Sequence, residues 1–551
     1  ISLYATNHKV GFYDATNILP YTALQKEYMI QTYMTDEDAN EFAIVATEKN
    51  QKFKITIKET VIHDTINNQV YQIKEIINKD INITLNKGQA YLYRAQSRYG
   101  DLSGTQICST APFAMFNGCQ GAKIPTGTGA NNHLYHQSMP TDMWGKKFLV
   151  TPTASQTTDY IRLTAAEDNT VIYRNGVELC RLATGETYQD TLISESFYAS
   201  YADYRTGVTT YIPHTAYYES TKAIICYLYQ TSSVINLSTF EDEYGVESVP
   251  SDFGAPVLTL ISPLEQACNS IIFTTFENRY SSVKKHYVNV VVPTISAQHV
   301  ELDGINIGSK FNVCEGNNEL SYAIIEVKNT TKRAHFLDCK LEQDLKGVLS
   351  ARVYGLGNTT SPTGQNVLSH EAYAYSAGSR VARSADMLIN GEYKSRHEIC
   401  IVDSVIFTPI INYDFTNYHW EFSKSDTVIM GNKKSEKIDH MQFFPNHGVW
   451  NVSLIIERTT PLCDNIITDT ITALITVNSL NEEPVNKEQC YGGVFTLFRN
   501  QKQETYTLKA DTITPQYYNK NTGELEAFKL NRTYEFYDTI PATTKDECAT
   551  L

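Results

Sequence analysis

The sequence predicts an almost entirely β protein, with three related β-sandwich-like repeats followed by an immunoglobulin-like β-sandwich and a partial C-terminal β module. Strand-forming residues dominate the composition, which includes 37 Tyr and 22 Phe, and aromatic and β-branched residues favour pleated, half-buried strands. Alternating apolar and polar residues recur, whereas long apolar stretches at helical spacing are missing. A chain of 551 residues exceeds one hydrophobic core, and a domain size of about 150 residues predicts roughly three to four units.

A hairpin pattern that occurs three times indicates the repeats. Each copy is a half-buried strand, a polar turn and a second half-buried strand. The copies are EFAIVATEKNQKFKITI from Glu41, YIRLTAAEDNTVIYRNGVEL from Tyr160 and YVNVVVPTISAQHVELDGINI from Tyr287. Each copy continues into a further strand and ends in an apolar stretch, and these stretches are PFAMF, KAIICYLY and SARVYGL.

The turns of the copies also correspond. Asn50 of the first copy matches Asn169 of the second, and the Asn-Gly pair at 175–176 matches the Asp-Gly pair at 303–304. Such pairs supply the positive φ angles that a tight hairpin needs. A period of roughly 120 residues accommodates a complete β-sandwich, although chance similarity among strand-rich segments is the alternative. The predicted repeats are residues 1–146, 147–270 and 271–380.

A different unit is predicted after a change of composition near residues 376–394. Residues 396–479 contain about seven short strands, which is typical of an immunoglobulin-like sandwich. We expect its core to contain residues of two alternating strands, which are Trp420, Phe422, Trp450, Val452, Leu454 and Ile456. Residues 485–551 predict a partial β module. The chain starts at Ile1 without a secretion signal and stops abruptly after DECATL, so we expect a piece of a longer protein.

The net charge and the hydropathy of the chain limit the kinds of partner that we expect. The formal net charge is -15 with a pI near 5.4, which argues against the clustered basic face that nucleic-acid binding requires. No apolar stretch approaches the roughly 18 to 20 residues that span a bilayer as a helix. We therefore expect neither a nucleic-acid partner nor a transmembrane segment in this chain.

The 11 cysteines form neither a dense disulfide framework nor a zinc-ligand pattern, because no CxxC pair occurs. Terminal strands of the immunoglobulin-like unit favour a disulfide between Cys400 and Cys463. Cys490 with Cys548 would close the last module, and Cys314 with Cys339 would staple a hairpin of the third repeat. The alternative is that these are buried free thiols, which behave as small apolar side chains.

The sequence motifs give little support for a catalytic or metal-binding site. His133 and His136 are three residues apart with Asp142 nearby, but a strand does not bring positions i and i+3 together as a helix does, and no third metal ligand is evident. The acidic TDEDANE segment from Thr35 lacks the ligand spacing of a calcium loop. No GxSxG, P-loop or strand-to-helix GxGxxG motif is present. We therefore predict no catalytic residue, no metal and no cofactor.

One Tyr-rich segment is the place where the sequence indicates ligand contact. Residues 196–204 read SFYASYADY, and Tyr offers a large contact area at low conformational cost. The alternative is ordinary packing at a strand edge.

The segment from Asp101 to Val150 resembles the IgGFc-binding protein N-terminal domain family. The matching residues are Gly104, Pro112, Gly118, Cys119, Pro125, His133, Trp144 and Gly145, with Tyr354 and Gly355 in the later ARVYGLGN stretch. The resemblance extends over most of residues 1–380 and implies structural roles for these residues. One departure is Asn131-Asn132-His133, where animal members have a Cys before Asp-His. Cys119 is therefore expected to pair with Cys108 or to stay reduced.

The immunoglobulin-like unit resembles a PKD-type domain, with Trp420, Phe422, His440, Phe443 and Gly448 at the corresponding positions. The order of the units resembles large surface proteins of gut Bacteroidetes. The resemblance to surface proteins implies export and display at the cell surface and does not identify a ligand. The leading hypothesis is a non-enzymatic, secreted or cell-surface adhesin-like protein that binds a host or matrix glycoprotein. The alternatives are a glycan-processing enzyme and a structural stalk of the cell envelope without a ligand.

Overall fold

The structure, a computed structural model, has an almost entirely β fold, which confirms the predicted fold class. The structure describes residues 3–9, 11–35, 37–63, 73–127, 129, 131–242, 245–250, 253–276, 283–328, 334–340, 349–357, 371–378, 385–392, 395–401, 403–411, 415–424, 427–431, 439–459, 463, 466–478, 494–499, 502–507, 516–519 and 524–527. None of the helices in these ranges has the length and apolar character needed to cross a membrane.

The chain forms two compact units. The first consists of residues 1–384 together with 461–464, and the second of residues 385–460 and 465–551. The first unit opens with a hairpin of β1 (Tyr4–Lys9) and β2 (Phe12–Asn17). Three sets of strands follow, and we call them modules 1, 2 and 3.

Module 1 covers residues 25–137. Its strands are β3 (Gln25–Met29), β4 (Glu41–Ala46), β5 (Gln51–His63), β6 (Ile73–Leu85), β7 (Ala90–Arg94), β8 (Gly100–Asp101), β9 (Gln106–Ala122) and β10 (Asn132–Gln137). Short 3-10 helices precede it at Tyr21–Ala23 and follow it at Thr141–Met143.

Module 2 covers residues 145–260 and contains the helix α1. Its elements are β11 (Gly145–Val150), β12 (Thr158–Ala165), β13 (Thr170–Arg174), β14 (Val177–Leu182), β15 (Thr187–Ile193), β16 (Glu195–Phe197), α1 (Tyr201–Thr206), β17 (Thr210–Ile212), β18 (Ala216–Gln230), the 3-10 helix Ser233–Ile235, β19 (Leu237–Asp242), β20 (Gly245–Pro250) and β21 (Val257–Leu260).

Module 3 covers residues 270–377 and follows the 3-10 helix Leu264–Gln266. Its elements are β22 (Ser270–Phe273), β23 (Val283–Pro293), the 3-10 helix Thr294–His299, β24 (Val300–Leu302), β25 (Ile305–Asn306), the 3-10 helix Gly308–Lys310, β26 (Asn312–Cys314), β27 (Asn317–Glu326), β28 (His335–Cys339), β29 (Ser350–Gly357) and β30 (Ala372–Ala377).

The three modules share one strand order. The order is β6-β5-β9-β4-β7 in module 1 and β14-β13-β18-β12-β15 in module 2. In module 3 it is divided between two sheets, as β25-β24-β28 and β29-β23-β27. The long central strand is β9 in module 1 and β18 in module 2, and β28 followed by β29 takes its place in module 3. The strand that opens each module, β3, β11 or β22, pairs with the first part of this central strand. The strand that closes each module, β10, β21 or β30, pairs with its last part. The predicted internal repeat is therefore confirmed as a repeated strand order.

The turn residues that indicated the repeat have the expected backbone. Asn50 and Asn169 have φ angles of 53° and 58°. The pairs at 175–176 and 303–304 also have positive φ at both positions, and each connects directly paired strand ends. A type I′ turn has this conformation, and its twist matches that of the flanking strands.

Apolar clusters fill the modules and also join them. Module 1 buries the inward residues of β4 and β5, such as Phe42 and Ile55, while module 2 buries Ile161 and Leu228. A further cluster around Trp144 combines side chains of modules 1 and 2. The three modules are therefore parts of one compact unit.

The second unit contains two sheets, of order β31-β33-β36 and β32-β38-β37-β34-β35, and two separate hairpins. Its strands are β31 (Ala385–Ile389), β32 (Arg396–Cys400), β33 (Ser404–Ile411), β34 (Asn417–Lys424), β35 (Thr427–Met430), β36 (His440–Phe443), β37 (Gly448–Thr459), β38 (Ile466–Asn478), β39 (Val494–Arg499), β40 (Lys502–Thr507), β41 (Gln516–Asn519) and β42 (Glu524–Ala527). The six residues predicted for its core, Trp420, Phe422, Trp450, Val452, Leu454 and Ile456, are all fully buried in one cluster.

The predicted disulfides require correction. Cys463 forms a disulfide with Cys108 of β9 across 355 residues of sequence, so the predicted pairing with Cys400 is wrong. Cys400 is itself disulfide-bonded. The predicted Cys314–Cys339 disulfide is also wrong, because Cys314 keeps a buried free thiol in β26 while β28, which ends at Cys339, belongs to another sheet. Cys490 and Cys548 lie outside the described residues.

Candidate functional site

Module 2 carries an appendage that has no counterpart among the described strands of modules 1 and 3. It consists of α1 and the small sheet β17-β16-β19-β20. The Ser200 hydroxyl accepts a hydrogen bond from the Asp203 backbone N–H at 3.2 Å and caps the helix. Gly207 ends the helix with a φ of 72°, a left-handed conformation that favours glycine. The two caps therefore define where the helix begins and ends.

Aromatic rings join α1 to the small sheet. Tyr204 stacks on Phe240 of β19 with a centroid distance of 5.3 Å and makes an edge contact with Tyr198 at 5.4 Å. Tyr201, one turn earlier, lies 6.0 Å from Phe240. Phe240 is buried, whereas Tyr201 is 61% exposed. The appendage therefore presents an aromatic ring to solvent on a base of packed aromatic rings.

Other exposed apolar side chains surround this segment of the sequence. Among the described residues of the range 193–246, seven large apolar ones are exposed, namely Ile193, Tyr201, Val208, Ile212, Val234, Leu237 and Val246. Their neighbours Glu195 and Glu241 add exposed carboxylates. Aromatic and aliphatic groups with a polar rim are the usual composition of protein-binding surfaces. The predicted Tyr-rich segment lies at the centre of this appendage.

His214 connects the end of the appendage to module 3. Its Nδ1 lies 2.8 Å from the Glu315 carboxylate, and its Nε2 lies 3.4 Å from Glu195. The hydrogen bond to Glu315 is the main cause that raises the pKa of His214 above its usual value of 6.5. The protonated imidazole therefore stabilises this connection.

The His214 connection predicts a pH-dependent stability. A histidine whose pKa is raised in the folded state contributes stability that is complete below its unfolded pKa and is lost as pH rises through the folded pKa. We expect the melting temperature of the wild type to exceed that of His214→Gln at about pH 6, and the difference to disappear by about pH 9. Scanning calorimetry across this range measures it. A difference that stays constant with pH would contradict the assignment.

Among the residues that the family resemblance singled out, the glycines lie where chains approach closely. A Cβ atom on Gly118 would lie 1.7 Å from the Leu134 carbonyl oxygen of β10, and one on Gly145 would lie 2.2 Å from Pro263. Gly104 has a φ of 89°, and a Cβ there would lie 2.4 Å from the Gly185 carbonyl oxygen of module 2. These three positions allow close strand and module contact.

Trp144 and Tyr354 lie at contacts between modules. Trp144 is 5% exposed, and its indole N–H donates to the Met139 carbonyl oxygen at 3.2 Å. The Tyr354 hydroxyl accepts from the Ala154 N–H of module 2 and donates to Asn289 Oδ1, both at 2.9 Å. The next residue, Gly355, packs against the ring of Tyr373. Trp144 therefore belongs to the junction of modules 1 and 2, and Tyr354 to that of modules 2 and 3.

The remaining signature residues also have structural partners. The Pro112 carbonyl oxygen accepts from Gln51 Nε2 at 3.1 Å, and the Ile124–Pro125 peptide bond is cis. Cys119 keeps a buried free thiol, so of the two alternatives for this residue the reduced thiol is correct. Burial raises the pKa of that thiol to about 12, which leaves it protonated and unreactive at neutral pH.

The two histidines considered for chemistry contact different side chains. His133 stacks on Phe12 at 4.9 Å and lies 3.4 Å from the buried Asp14 carboxylate. His136 is buried against Tyr227, and burial lowers its pKa to about 3. In the described ranges no three His, Cys, Asp or Glu side chains come together as metal ligands. In the acidic segment, Glu37 pairs with Lys123 and Asp38 with Arg94.

Sequence reasoning missed the buried polar residues at the junctions. Asn132 is fully buried, and its amide N–H groups donate to the carbonyl oxygens of Tyr13, Pro256 and Ala372 at 2.8–3.0 Å. It therefore connects the N-terminal hairpin, module 1, and the strands near the ends of modules 2 and 3. The signal for Asn132 in the sequence was that the Asn131-Asn132-His133 segment differs from the Cys before Asp-His of the animal members. Asn236, the first residue of an Asn-Leu-Ser glycosylation sequon, is also buried, and its amide donates hydrogen bonds to Thr231 and Ser232.

The comparisons with known proteins identify one family. The family model described as IgGFc binding protein matches residues 14–355. The IgGFc-binding protein of Homo sapiens is 28% identical over 179 residues, which are 32% of this chain and 3% of the human protein. The chain thus matches a small part of that relative's length. A solved structure of alpha-2-macroglobulin from E. coli covers 84% of this chain and 41% of its own, with 8% identity and a TM-score of 0.14, which is too low to show a shared fold.

Proposed function

Because the chain belongs to the IgGFc-binding protein family, whose model matches residues 14–355, we propose that it is a non-enzymatic, exported adhesin-like protein that binds a host or matrix glycoprotein. The binding surface in this proposal is the appendage of module 2. The observation that carries it is the exposed Tyr201 ring on its base of Tyr204 and Phe240.

The aromatic base supports the proposal because binding surfaces gain most from rings that are already held in place. Tyr loses little conformational freedom on binding and combines an apolar ring with a hydroxyl. Hot-spot residues are enriched in Tyr and are surrounded by contacts that exclude water. The exposed Val208, which follows α1, and the exposed Val246 of β20 add apolar surface to the same appendage.

The protonation states of the buried groups favour binding over catalysis. A general acid or base needs a pKa near the working pH and access to substrate. Burial moves the pKa of Cys119 to about 12 and that of His136 to about 3, away from neutrality. These groups therefore serve packing.

In the same proposal the second unit, with its buried Trp420 and Trp450, is a PKD-like spacer. Export is proposed because the order of the units resembles that of surface proteins of gut Bacteroidetes. Immunoglobulin Fc is one test ligand among several, because the name IgGFc-binding protein describes the human relative and not this chain.

Tyr201→Ala tests the proposal. Immobilised glycoproteins, matrix proteins and immunoglobulin Fc are probed with the purified chain by surface plasmon resonance. For whichever ligand gives saturable binding, we expect the substitution to weaken affinity by roughly 30-fold, equal to about 2 kcal/mol for a hot-spot residue. The matched control is Tyr21→Ala, because Tyr21 is 57% exposed but lies before module 1.

Three results would overturn the proposal. Equal loss of binding in both Tyr variants would remove the appendage as the binding surface. Release of sugars from the glycoproteins by the wild-type chain would indicate a glycan-processing enzyme, and the absence of saturable binding to any of these ligands would indicate a structural stalk.

A further inference from the structure

The longest hairpin of module 1 leaves one side of the sheet open. Strands β5 and β6 pair over 13 residues each, from Gln51 opposite Leu85 to His63 opposite Ile73. In the described part of the chain, β6 pairs with β5 alone. The corresponding strands of modules 2 and 3, β14 and β25, have only 6 and 2 residues. The extended edge is therefore specific to module 1.

The hydrogen bonds of β5 determine which groups of β6 face outward. The N–H groups of Lys52 and Lys58 donate to Thr110 and Thr105 on the β9 side. Since successive residues of a strand point their backbone groups to opposite sides, the odd-numbered residues of β5 bond to β6. Their partners in β6 are also odd-numbered. The N–H and C=O groups of the even-numbered β6 residues, such as Ile76 and Asn78, consequently point away from the sheet.

The side chains of β6 show that this edge is only partly covered. Ile81, Ile83 and Leu85 pack against the core of module 1 and are half-buried. Ile77 is half-buried as well, and Ile76 is 50% exposed on the opposite face. Exposed edges pair readily with another strand, and natural sheets usually block them with Pro, bulges or charged side chains, Lys above all. β6 contains no Pro, and its two Lys are matched in number by one Glu and one Asp.

The charges of β6 are arranged so that the strand is complementary to itself. The sequence from 73 to 81 is IKEIINKDI, in which a Lys-Glu pair and a Lys-Asp pair lie on either side of Ile77. In an antiparallel arrangement centred on Ile77, Glu75 faces Lys79 of the other strand, position 74 falls opposite position 80, and Ile77 faces its own copy. Opposite charges directly across a sheet stabilise it, and like charges destabilise it.

We propose that β6 pairs antiparallel with β6 of a second copy of this chain, with the two-fold axis at Ile77. The hydrogen-bonding pattern permits this register, because it sets the outward-facing Ile76 opposite Asn78 and keeps Ile77 at a position without cross-strand hydrogen bonds. The other two-fold registers are less favourable. Centring on Ile76 or Asn78 sets no opposite charges across from each other, centring on Lys79 sets Lys against Lys, and centring on Asp80 sets Asp against Asp. A two-fold interface of this kind is closed, so the assembly stops at a dimer.

A charge reversal tests the dimer with the whole chain. Sedimentation velocity over roughly 1–100 µM is expected to show a dimer for the wild type. Glu75→Lys and Lys79→Glu each set like charges opposite and are expected to weaken dimerisation at least tenfold. The double variant restores opposite charges and is expected to restore the dimer. A wild type that stays monomeric, or a double variant as weak as the single ones, would overturn the proposal.

Two further variants test the register independently of charge. In the proposed dimer of Ile77→Cys, the Cα atoms of the two introduced cysteines are about 4.5 Å apart, which permits a disulfide. Oxidised glutathione is therefore expected to give a covalent dimer. Thr84→Cys, exposed on the same strand, is expected not to crosslink. Asn78→Pro removes an outward N–H that β5 does not use, and Pro is tolerated there. We expect it to abolish the dimer while the melting temperature is preserved.

The dimer is independent of the proposed ligand surface. Tyr201 lies in module 2, and none of the substitutions in β6 changes it. If both proposals hold, the dimer is bivalent and binds a dense surface of ligand more tightly than the Asn78→Pro monomer. If binding fails, sedimentation still decides the dimer.

Discussion

Replacing Arg162 with Met is expected to lower the free energy of unfolding of the first unit by about 3–5 kcal/mol, the usual cost of leaving one charge of a buried ion pair alone. Arg162 Nη2 lies 2.8 Å from Asp101 Oδ2, and the guanidinium also donates to the Thr32 carbonyl oxygen and lies over the Tyr33 ring. Burial alone would raise the pKa of Asp101, but Arg162 and the hydrogen bonds from Ser103 outweigh it and hold this pKa below its usual value. Urea unfolding of the first unit measures the effect.

The double variant Arg162→Met with Asp101→Asn separates the lost charge from lost packing. It removes the stranded carboxylate, so we expect it to recover a large part of the stability lost in Arg162→Met. The depressed pKa of Asp101 also means that the pair's contribution is present above about pH 4 and is lost as pH falls through the folded pKa. If the double variant is no more stable than Arg162→Met, packing rather than charge dominates at this junction.

Trp144→Ala is expected to destabilise the same unit by about 3–5 kcal/mol, the usual cost of truncating a buried Trp. Its ring belongs to a cluster that contains Met29 and Cys119 of module 1 and Tyr227 and Leu258 of module 2. The cavity would therefore open at the junction and weaken the packing of both modules. Scanning calorimetry should show the first unit's transition at a lower temperature.

The control for Trp144→Ala is Trp420→Ala. Trp420 is fully buried in the second unit, so we expect a loss of the same size in the transition of that unit. If Trp144→Ala leaves the first unit's transition unchanged, the cluster at the junction contributes little to stability.

Several features could be predicted from the sequence because they depend on neighbouring residues. Alternation of apolar and polar residues decides which face of a strand is buried, and the buried Trp420 and Phe422 show that this reading was correct. Asn-Gly and Asp-Gly pairs adopt positive φ for local steric reasons, as at 175–176 and 303–304. The threefold recurrence of these local signals was enough to predict the repeat.

The candidate binding surface could be predicted only in part. The SFYASYADY segment was found from its Tyr content, but its sequence does not say which rings pack inward. Tyr204 lies against Phe240, 36 residues later, and this contact leaves Tyr201 exposed. Exposure is a property of the packed chain.

The sequence by itself determined the fold class, the repeated strand pattern and the core of the second unit, because each follows from residues close together along the chain. The tertiary structure alone decided the partners that are far apart. Cys463 pairs with Cys108 rather than Cys400, Arg162 finds Asp101, and Asn132 joins four segments of the first unit. Such pairings depend on how the strands are arranged in space, and buried charges and amides must find partners wherever that arrangement places them.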